Sequence, residues 1–529
     1  MNDPGGGPDL ISGLLLAQAY PHAVELPIRV VETHVSWVLL TGPYAYKIKK
    51  PLKLSFLDYS TVNRRRSLCN EELRLNRRYA PDLYVDVAGI HDTPSGIRIG
   101  RQSPGDLEYA VRMRQFETDQ ELGALLDAGG IDAPAVDELG RHLARFHAAA
   151  APAGSDTRFG LPDEVHRVTL NNFTELGVAP GAAQRQELLG RLRARADSLL
   201  ASVHGLMAGR RRASRIRECH GDLHCANVVR WKGVLTPFDG IEFDPALRFI
   251  DVVSDVAFLS MDLGVHERAD LRHALLNAWT GELGDYEGIA LLPYFECYRA
   301  LVRAKVSALR AGQEPGGSQR QRLAVDAAAR YLSWADSQSR RAAPRLLLTC
   351  GVSGSGKTWL ARQLAGRMRA LHLRSDIERK RLAGLGPMAD SRSAPNGGIY
   401  SAQFNAKTYE RLYECARSSL IGGESVIVDA AFLQNSTRKQ FLALAGELEV
   451  AVTILHCTAP ESVLRKRIAS RQREGHDASE ADLAVLERQL SRRESLGKPE
   501  STCVIEVDTR DDDSVERVLG ALRPTAAES

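Results

Sequence analysis

Among all stretches of this chain, Gly351-Val-Ser-Gly-Ser-Gly-Lys357-Thr358 restricts the fold most, because the pattern G-x-x-x-x-G-K-[ST] demands a particular backbone around it. It follows an apolar run, Leu346 to Cys350, and opens a helical segment, Trp359 to Arg367. A strand that ends in a glycine-rich turn and continues as a helix lines up backbone N–H groups at a helix N-terminus, and this cradles anions. Gly351, Ser353, Gly354, Ser355 and Gly356 shape that cradle, Lys357 reaches the β- and γ-phosphates of ATP, and Thr358 offers a hydroxyl to Mg²⁺. The bland alternative is a tight glycine turn carrying an exposed lysine. The flanking strand and helix argue against it.

From Arg345 onward, RLLLTCG, SVIVDA, VAVTILHC and TCVIEVD are short, continuous apolar runs separated by helical segments. That pattern predicts a parallel sheet buried on both faces, hence an α/β P-loop NTPase domain over residues 345–529. Asp376 lies in LHLRSDIERKRL, after the second apolar segment, and also suits an N-cap of the following helix. Asp429 ends SVIVD, where a Walker-B-like carboxylate holds Mg²⁺ through water; a strand-end turn residue is the plain alternative. Arg465, Arg467, Arg471 and Arg473 lie in a charged helical stretch. Arg467 and Arg471 are four apart and share a face, as lid residues over a transferred phosphate would, although a solvated basic face has the same spacing. Over about residues 345–525 the domain resembles small P-loop kinases of the gluconate-kinase, zeta-toxin and polynucleotide-kinase group. The resemblance implies that Asp376 accepts the proton of an attacking hydroxyl, with Arg379 nearby for an anionic acceptor.

A second constellation stands upstream: His220-Gly-Asp222-Leu-His224-Cys-Ala-Asn227, then Phe238-Asp239-Gly240. The five-residue step from Asp222 to Asn227 equals that in H-R-D-L-x-x-x-N, and Asp239 takes the place of the D-F-G aspartate. Phosphoryl transfer needs a carboxylate to orient the acceptor hydroxyl, and an amide plus a second carboxylate for Mg²⁺. A metal hydrolase would use histidines too, but H-E-x-x-H is missing and asparagine is a poor zinc ligand. The segment is most similar to aminoglycoside and choline phosphotransferase-like proteins, whose loop reads H-G-D, over about residues 25–310. The resemblance implies Asp222 as base, Asn227 and Asp239 as Mg²⁺ ligands, Glu242 as a weaker metal candidate, and His220 as a brace. The run Asp251-Val-Val-Ser-Asp255 is similar to that superfamily's D-L-A segment.

Lys47 in YAYKIKK is the candidate to grip the α- and β-phosphates, paired with Glu71 or Glu72; Lys49 shares its strand face, so the pattern leaves the two lysines unseparated. We take Lys47 and Glu72 as the pair. Before Lys47 the sequence offers only Thr41-Gly42-Pro43 in place of G-x-G-x-x-G, which argues against a protein substrate more than against ATP. Arg299, Arg303 and Lys305 lie on a later helix as acceptor contacts or, more simply, as a solvated face. GRRRASRIR at 209–217 reads as an exposed loop.

The expected architecture is therefore an α+β protein-kinase-like region, with a small β-rich lobe (1–120) and a helical lobe (121–315), then a linker helix (316–344) and the P-loop domain (345–529). The breaker cluster AGQEPGGSQ and Pro344 mark the joint. With 69 basic and 66 acidic residues the net charge is +3, which supports neither a nucleic-acid partner nor an anionic membrane. Asp3 and Asp9 precede the apolar Leu10 to Ala19, so this reads as a first amphipathic helix and not a secretory signal. No run of about 18 apolar residues suggests a membrane span. Eight scattered cysteines without a C-x-x-C pair suit free thiols in a cytoplasmic protein. The joint expectation is a bifunctional ATP- and Mg²⁺-dependent phosphotransferase acting on small hydroxylated acceptors. The rival is an ATP-sensing regulator in which the P-loop domain controls the other domain or a partner. A nucleic-acid 5′-hydroxyl as acceptor finds no support in the composition.

Overall fold

Alternation along Tyr44–Lys49 buries Tyr46 and Ile48 on one face and leaves Lys47 and Lys49 on the other. The strand lies inside a six-stranded antiparallel sheet with spatial order Arg29–Glu32, Ser36–Leu40, Tyr44–Lys49, Glu108–Arg114, Tyr84–Thr93 and Gly96–Arg101. Leu39, Tyr46, Ile48, Ile90, Ile99 and Ala110 pack together on one face, joined by Leu10 and Leu14 of the first helix, Pro8–Leu14. Helix Val62–Asn76 is N-capped by Thr61, whose hydroxyl accepts from the Arg64 amide at 3.3 Å. The buried side of that helix is largely polar, with Arg65, Glu72 and Asn76 at helical spacing. Buried charge of this kind requires partners, and the partners define a site.

The computed structural model describes residues 8–54, 57–387, 389–391, 397–474, 479–497 and 500–522. It divides into two units, Met1–Thr174 with His204–His266, and Glu175–Val203 with Glu267–Ser529. Among the described residues no helix is long and apolar enough to cross a membrane, and all eight cysteines are free.

In the first unit, helix Val252–Val265 is buried nearly all round, from Val252 to Leu263, and takes Asp255 and Asp262 inward along with its apolar side chains. Two short hairpin-like pairs, Val228–Trp231 with Val234–Pro237 and Ile216–Glu218 with Phe249–Asp251, carry the loops that matter below. The arginine-rich segment near 210 is not the exposed loop expected. Helix Ala182–Arg212 runs through its first half, and Arg210 is buried against Asp251 in a bidentate pair at 2.8 Å. A planar guanidinium matched to a carboxylate can be buried in this way, and counting charges along the sequence does not reveal the match.

The second unit holds a parallel sheet in the order Leu371–Arg374, Val426–Asp429, Arg345–Cys350, Ala451–Thr458 and Val504–Asp508. Leu346, Leu348, Val426 and Val428 pack with Leu412 and Phe441 on one face. Leu347, Ile427 and Leu455 pack with Leu360, Leu364 and Val518 on the other. Both faces are thus covered, which explains the unbroken apolar runs. The edge strand Leu371–Arg374 is sealed by Asn277 of helix Ala269–Leu283. Its amide donates to the Ala370 carbonyl at 3.0 Å and its oxygen accepts from the His372 N–H at 2.7 Å, so one side chain mimics a neighbouring strand.

The division between units therefore falls elsewhere than the borders expected at 315 and 344. Helices Ala269–Leu283, Leu292–Gln313 and Gln319–Ser337 group with the parallel sheet. Arg272, fully buried, pairs with Glu296 at 2.9 Å and Glu424 at 2.7 Å, and His273 reaches the same Glu424 at 2.9 Å. Helix Gln319–Ser337, read as a polar linker, buries Ala324, Ala328, Tyr331 and Leu332. Arg299 is also buried, 4% exposed, and not on a solvated face.

Candidate functional sites

The polar side of helix Val62–Asn76 faces Lys47 and Lys49. Glu72 receives both ammonium groups, Lys47 at 2.9 Å on Oε1 and Lys49 at 2.6 Å on Oε2. The two lysines nevertheless have different surroundings. Lys49 is sealed, hydrogen-bonded to Glu242 and near Tyr59, with 1% of its side chain exposed. Lys47 is 14% exposed and pairs with Asp239, which is 40% exposed. Only Lys47 thus joins the helix to the Asp239 loop at an accessible place. Burial would raise the Glu72 carboxyl, but Lys47 and Lys49 outweigh it and hold its pKa at about 2. Glu71 turns elsewhere, to Arg74 at 2.7 Å and Arg248 at 2.8 Å.

Backbone hydrogen bonds fix the two loops. Asp239 has φ +61°, a left-handed conformation uncommon outside glycine, and its N–H donates to the Tyr84 hydroxyl at 3.0 Å. The next amide, Gly240, donates to Asn76 Oδ1 at 2.8 Å. Asp255 accepts from the His220 and Gly221 amides at 3.1 and 2.9 Å, with His147 Nε2 3.1 Å away. Burial opposes ionisation of Asp255, yet His147, His220 and the Gly221 amide bring its pKa down to about 2. His220 Nε2 donates to the Phe238 carbonyl at 2.9 Å, tying the Asp222 loop to the Asp239 loop, and burial lowers its pKa against the pull of Asp255 and Asp222. Asn227 Nδ2 donates to Asp222 Oδ2 at 3.0 Å, and Phe238 N donates to the Asn227 carbonyl at 2.9 Å. Asp222 and Asn227 are consequently held side by side on a loop tied to the one that carries Asp239, and the three offer oxygen donors of the hard kind that suits Mg²⁺. Glu242 lies apart from them, 6% exposed and bonded to Lys49 and Tyr59.

In the second unit the cradle is made of backbone. Gly354 and Gly356 have φ near +81° and +83°, and a Cβ there would meet the Leu464 carbonyl at 2.8 Å and Thr509 Oγ1 at 2.7 Å. Glycine is therefore required twice, by conformation and by space. Gly356 leads directly into helix Lys357–Met368. Lys357 Nζ donates to the Val352 carbonyl at 2.8 Å, and burial lowers its pKa against the pull of Asp429 and Asp376. Burial would raise Asp429, but His372, 3.1 Å away, and the Thr358 hydroxyl bring it below the usual carboxylate range. Thr358 and Asp429 thus lie side by side, with the Lys357 charge acting on Asp429, again an oxygen pair of the kind Mg²⁺ takes.

The loop opens into a cleft of about 1510 Å³ lined by Ser353, Lys357, Thr358, Asp376, Arg379 and Asp429, with helix Ala402–Ile421 on a further wall. Asp376 sits in the first turn of helix Ser375–Leu382, whose N-cap position is Arg374, so it does not cap. Arg379 is 7% exposed, lies over the Tyr400 ring at 5.3 Å and donates to Ile399 O and Asn405 Oδ1. Among the described residues no carboxylate pairs with it. Arg467 and Arg471 of helix Glu461–Glu474 both line the cleft, Arg467 donating to the Gly354 carbonyl at 3.2 Å and Arg471 to Ala481 O at 2.6 Å. Sequence reasoning missed helix Leu483–Arg492, which adds Arg488, Gln489 and Arg492 to the lining. Its apolar Leu486 and Leu490 at helical spacing were the available signal.

The chain joins an α+β region built on a six-stranded antiparallel sheet to an α/β region built on a five-stranded parallel sheet with a glycine-rich loop at the start of a helix. Residues 346–496 match a family described as AAA domain. The chain is 31% identical over 468 residues to the uncharacterized proteins Rv2004c of Mycobacterium tuberculosis and Mb2027c of Mycobacterium bovis, covering 88% of this chain and 91% of each relative. It belongs to the family that these mycobacterial proteins represent. Among solved structures it is similar to a gluconokinase from Sinorhizobium meliloti, at 21% identity and TM-score 0.26, covering 34% of this chain and 93% of that one. It is also similar to a choline/ethanolamine kinase family protein from Mesorhizobium loti, at 14% identity and TM-score 0.35, covering 61% of this chain and 98% of that one.

Proposed function

We propose that this protein is an ATP- and Mg²⁺-dependent phosphotransferase with two active sites, each moving the γ-phosphoryl group to a hydroxyl of a small molecule. The observation that carries the reading is Lys47, which pairs with Glu72 on a helix and with Asp239 on a distant loop that His220 ties to the loop of Asp222 and Asn227. In the first site Lys47 holds the nucleotide phosphates, while Asn227 and Asp239 hold the metal. Asp222, its side chain 36% exposed, orients the acceptor hydroxyl and accepts its proton. In the second site the loop amides and Lys357 hold the phosphates, Thr358 and Asp429 hold the metal, and Asp376 takes the acceptor proton. Bound Mg²⁺ supplies charge neutralisation at the phosphoryl oxygens in both. Arg467 and Arg471, which line the same cleft, follow the transferred phosphate.

Arg379, a buried cation without a carboxylate partner among the described residues, supports an acceptor that carries an anionic group for the second site. The test is an ADP-release screen over sugars, sugar acids, amino sugars, aminoglycosides, choline-like alcohols and nucleosides. Full-length wild-type, Asp222→Ala and Lys357→Ala proteins are compared. Acceptors that lose turnover in one variant and not the other assign each site. Nucleotide binding with no acceptor-dependent ADP release in any panel member would instead favour the regulatory reading.

A further inference from the structure

Helix Leu483–Arg492 approaches the phosphate loop closely. Asp482 caps its N-terminus, accepting from the Val485 amide at 2.8 Å. Leu486 packs with Val352, Leu464 and Ile468 in a small apolar cluster separate from the two sheet cores. The helix is therefore seated on Val352, a residue of the loop itself. From that seat Gln489 Oε1 accepts a hydrogen bond of 2.6 Å from the backbone N–H of Ser353, and both residues line the cleft. A loop amide that faces the cleft is one of the donors a phosphate would use. Gln489 is the side chain that occupies it.

A carboxamide is suited to such a position because it has both an acceptor and a donor end. The oxygen end satisfies the Ser353 amide. When a triphosphate arrives, its terminal phosphate takes the amide, and a rotation of the carboxamide turns the NH₂ end toward the same oxygens. We propose that Gln489 is a nucleotide-contacting residue of the P-loop site that recognises the terminal phosphate and so distinguishes ATP from ADP. The proposal rests on the P-loop reading above. Apolar packing of Leu486 anchors the helix, so the exchange needs only a side-chain rotation. Arg488 and Arg492, on the same helix and lining the same cleft, add positive charge beside it.

The experiment titrates Mg–AMP-PNP and Mg–ADP into the full-length chain by calorimetry and follows the binding event that Lys357→Ala removes. Gln489→Ala is expected to weaken AMP-PNP at that event about tenfold, the value of one hydrogen bond to a charged acceptor, while ADP changes less than about twofold. Gln489→Glu, which keeps the shape but loses the NH₂ donor and adds negative charge, is expected to weaken AMP-PNP further. Equal effects of Gln489→Ala on both nucleotides, or tighter AMP-PNP binding, would overturn the proposal. The second result would make Gln489 a plug of the empty loop and no more. If Lys357→Ala removes no binding event, the P-loop reading itself fails, which is distinguishable from failure of the Gln489 inference alone.

Discussion

In the first unit every group at the site is a side chain or a loop held by one: Lys47 from a strand, Glu72 from a helix, Asp222, Asn227 and Asp239 from two loops tied by His220 and Asp255. In the second unit the phosphate cradle is backbone, shaped within the stretch Gly351–Thr358 by glycines at positive φ. The first design depends on ion pairs buried far apart in sequence, and the second on a local conformation that only glycine adopts without strain. The difference teaches where each is vulnerable. Charge deletion should injure the fold of the first unit along with its chemistry, whereas in the second a lysine can be removed and the cradle still forms.

The largest expected effect separates the chemistry of the two. Asp222→Ala should reduce first-site phosphoryl transfer by roughly 10²–10⁴-fold while nucleotide affinity there stays within a few-fold, and second-site turnover is unchanged. Lys357→Ala should instead remove both nucleotide binding and turnover at the second site and leave the first site unchanged. Rates of ADP release and calorimetry on the full chain check both, and a variant that silences both sites would break the comparison.

Next is fold stability. Glu72→Ala leaves two lysines in one buried place and should destabilise the first unit by about 3–5 kcal/mol in urea denaturation. Lys357→Ala, removing a buried ammonium whose pKa burial lowers, should cost the second unit far less. Equal losses would contradict the contrast between side-chain and backbone construction.

Acid sharpens the same point. Asp255 is held at about 2, below its ordinary 3.8. As pH falls the unfolded chain takes up its proton first, so the stability this carboxylate gives is full above about pH 4 and lost on the way down to pH 2. The loss is on the order of 2 kcal/mol. Asp255→Asn should flatten that part of the pH–stability curve of the first unit, and an unchanged slope would remove Asp255 as the anchor of the Asp222 loop.

The smallest effect tests the sheet edge. Asn277→Ala should cost about 1–2 kcal/mol and speed hydrogen exchange at the His372 amide, with little change at interior strands. Unaltered exchange at His372 would mean that the edge is protected by other groups.

Legibility followed the same division. The P-loop could be read because its chemistry is local: a strand, glycines at set spacing, a lysine and a hydroxyl, all within one stretch. The parallel sheet was equally readable, since burial on both faces leaves an unbroken apolar run. That two linked loops carry Asp222, Asn227 and Asp239 was readable from their spacing. The choice between Lys47 and Lys49 was not, because strand alternation gives both the same face. What separates them is depth: Glu242 and Tyr59 close over Lys49, while Asp239 meets Lys47 at an accessible point. Arg210 and Arg299 misled for a related reason, as charge in a sequence reads as exposure until a buried partner or packing surface is known.

By itself the amino-acid order determined the glycine-rich strand–turn–helix of the C-terminal half, its α/β pattern and the strand-rich start of the chain, because each depends on neighbours within a few residues. Tertiary structure alone decided which lysine meets Asp239, that helices from Ala269 to Ser337 group with the parallel sheet, that Asn277 completes its edge and that Gln489 sits on the Ser353 amide. These last depend on contacts between residues scores of positions apart. Such contacts form only when packing closes the loop between them, and no local periodicity records them.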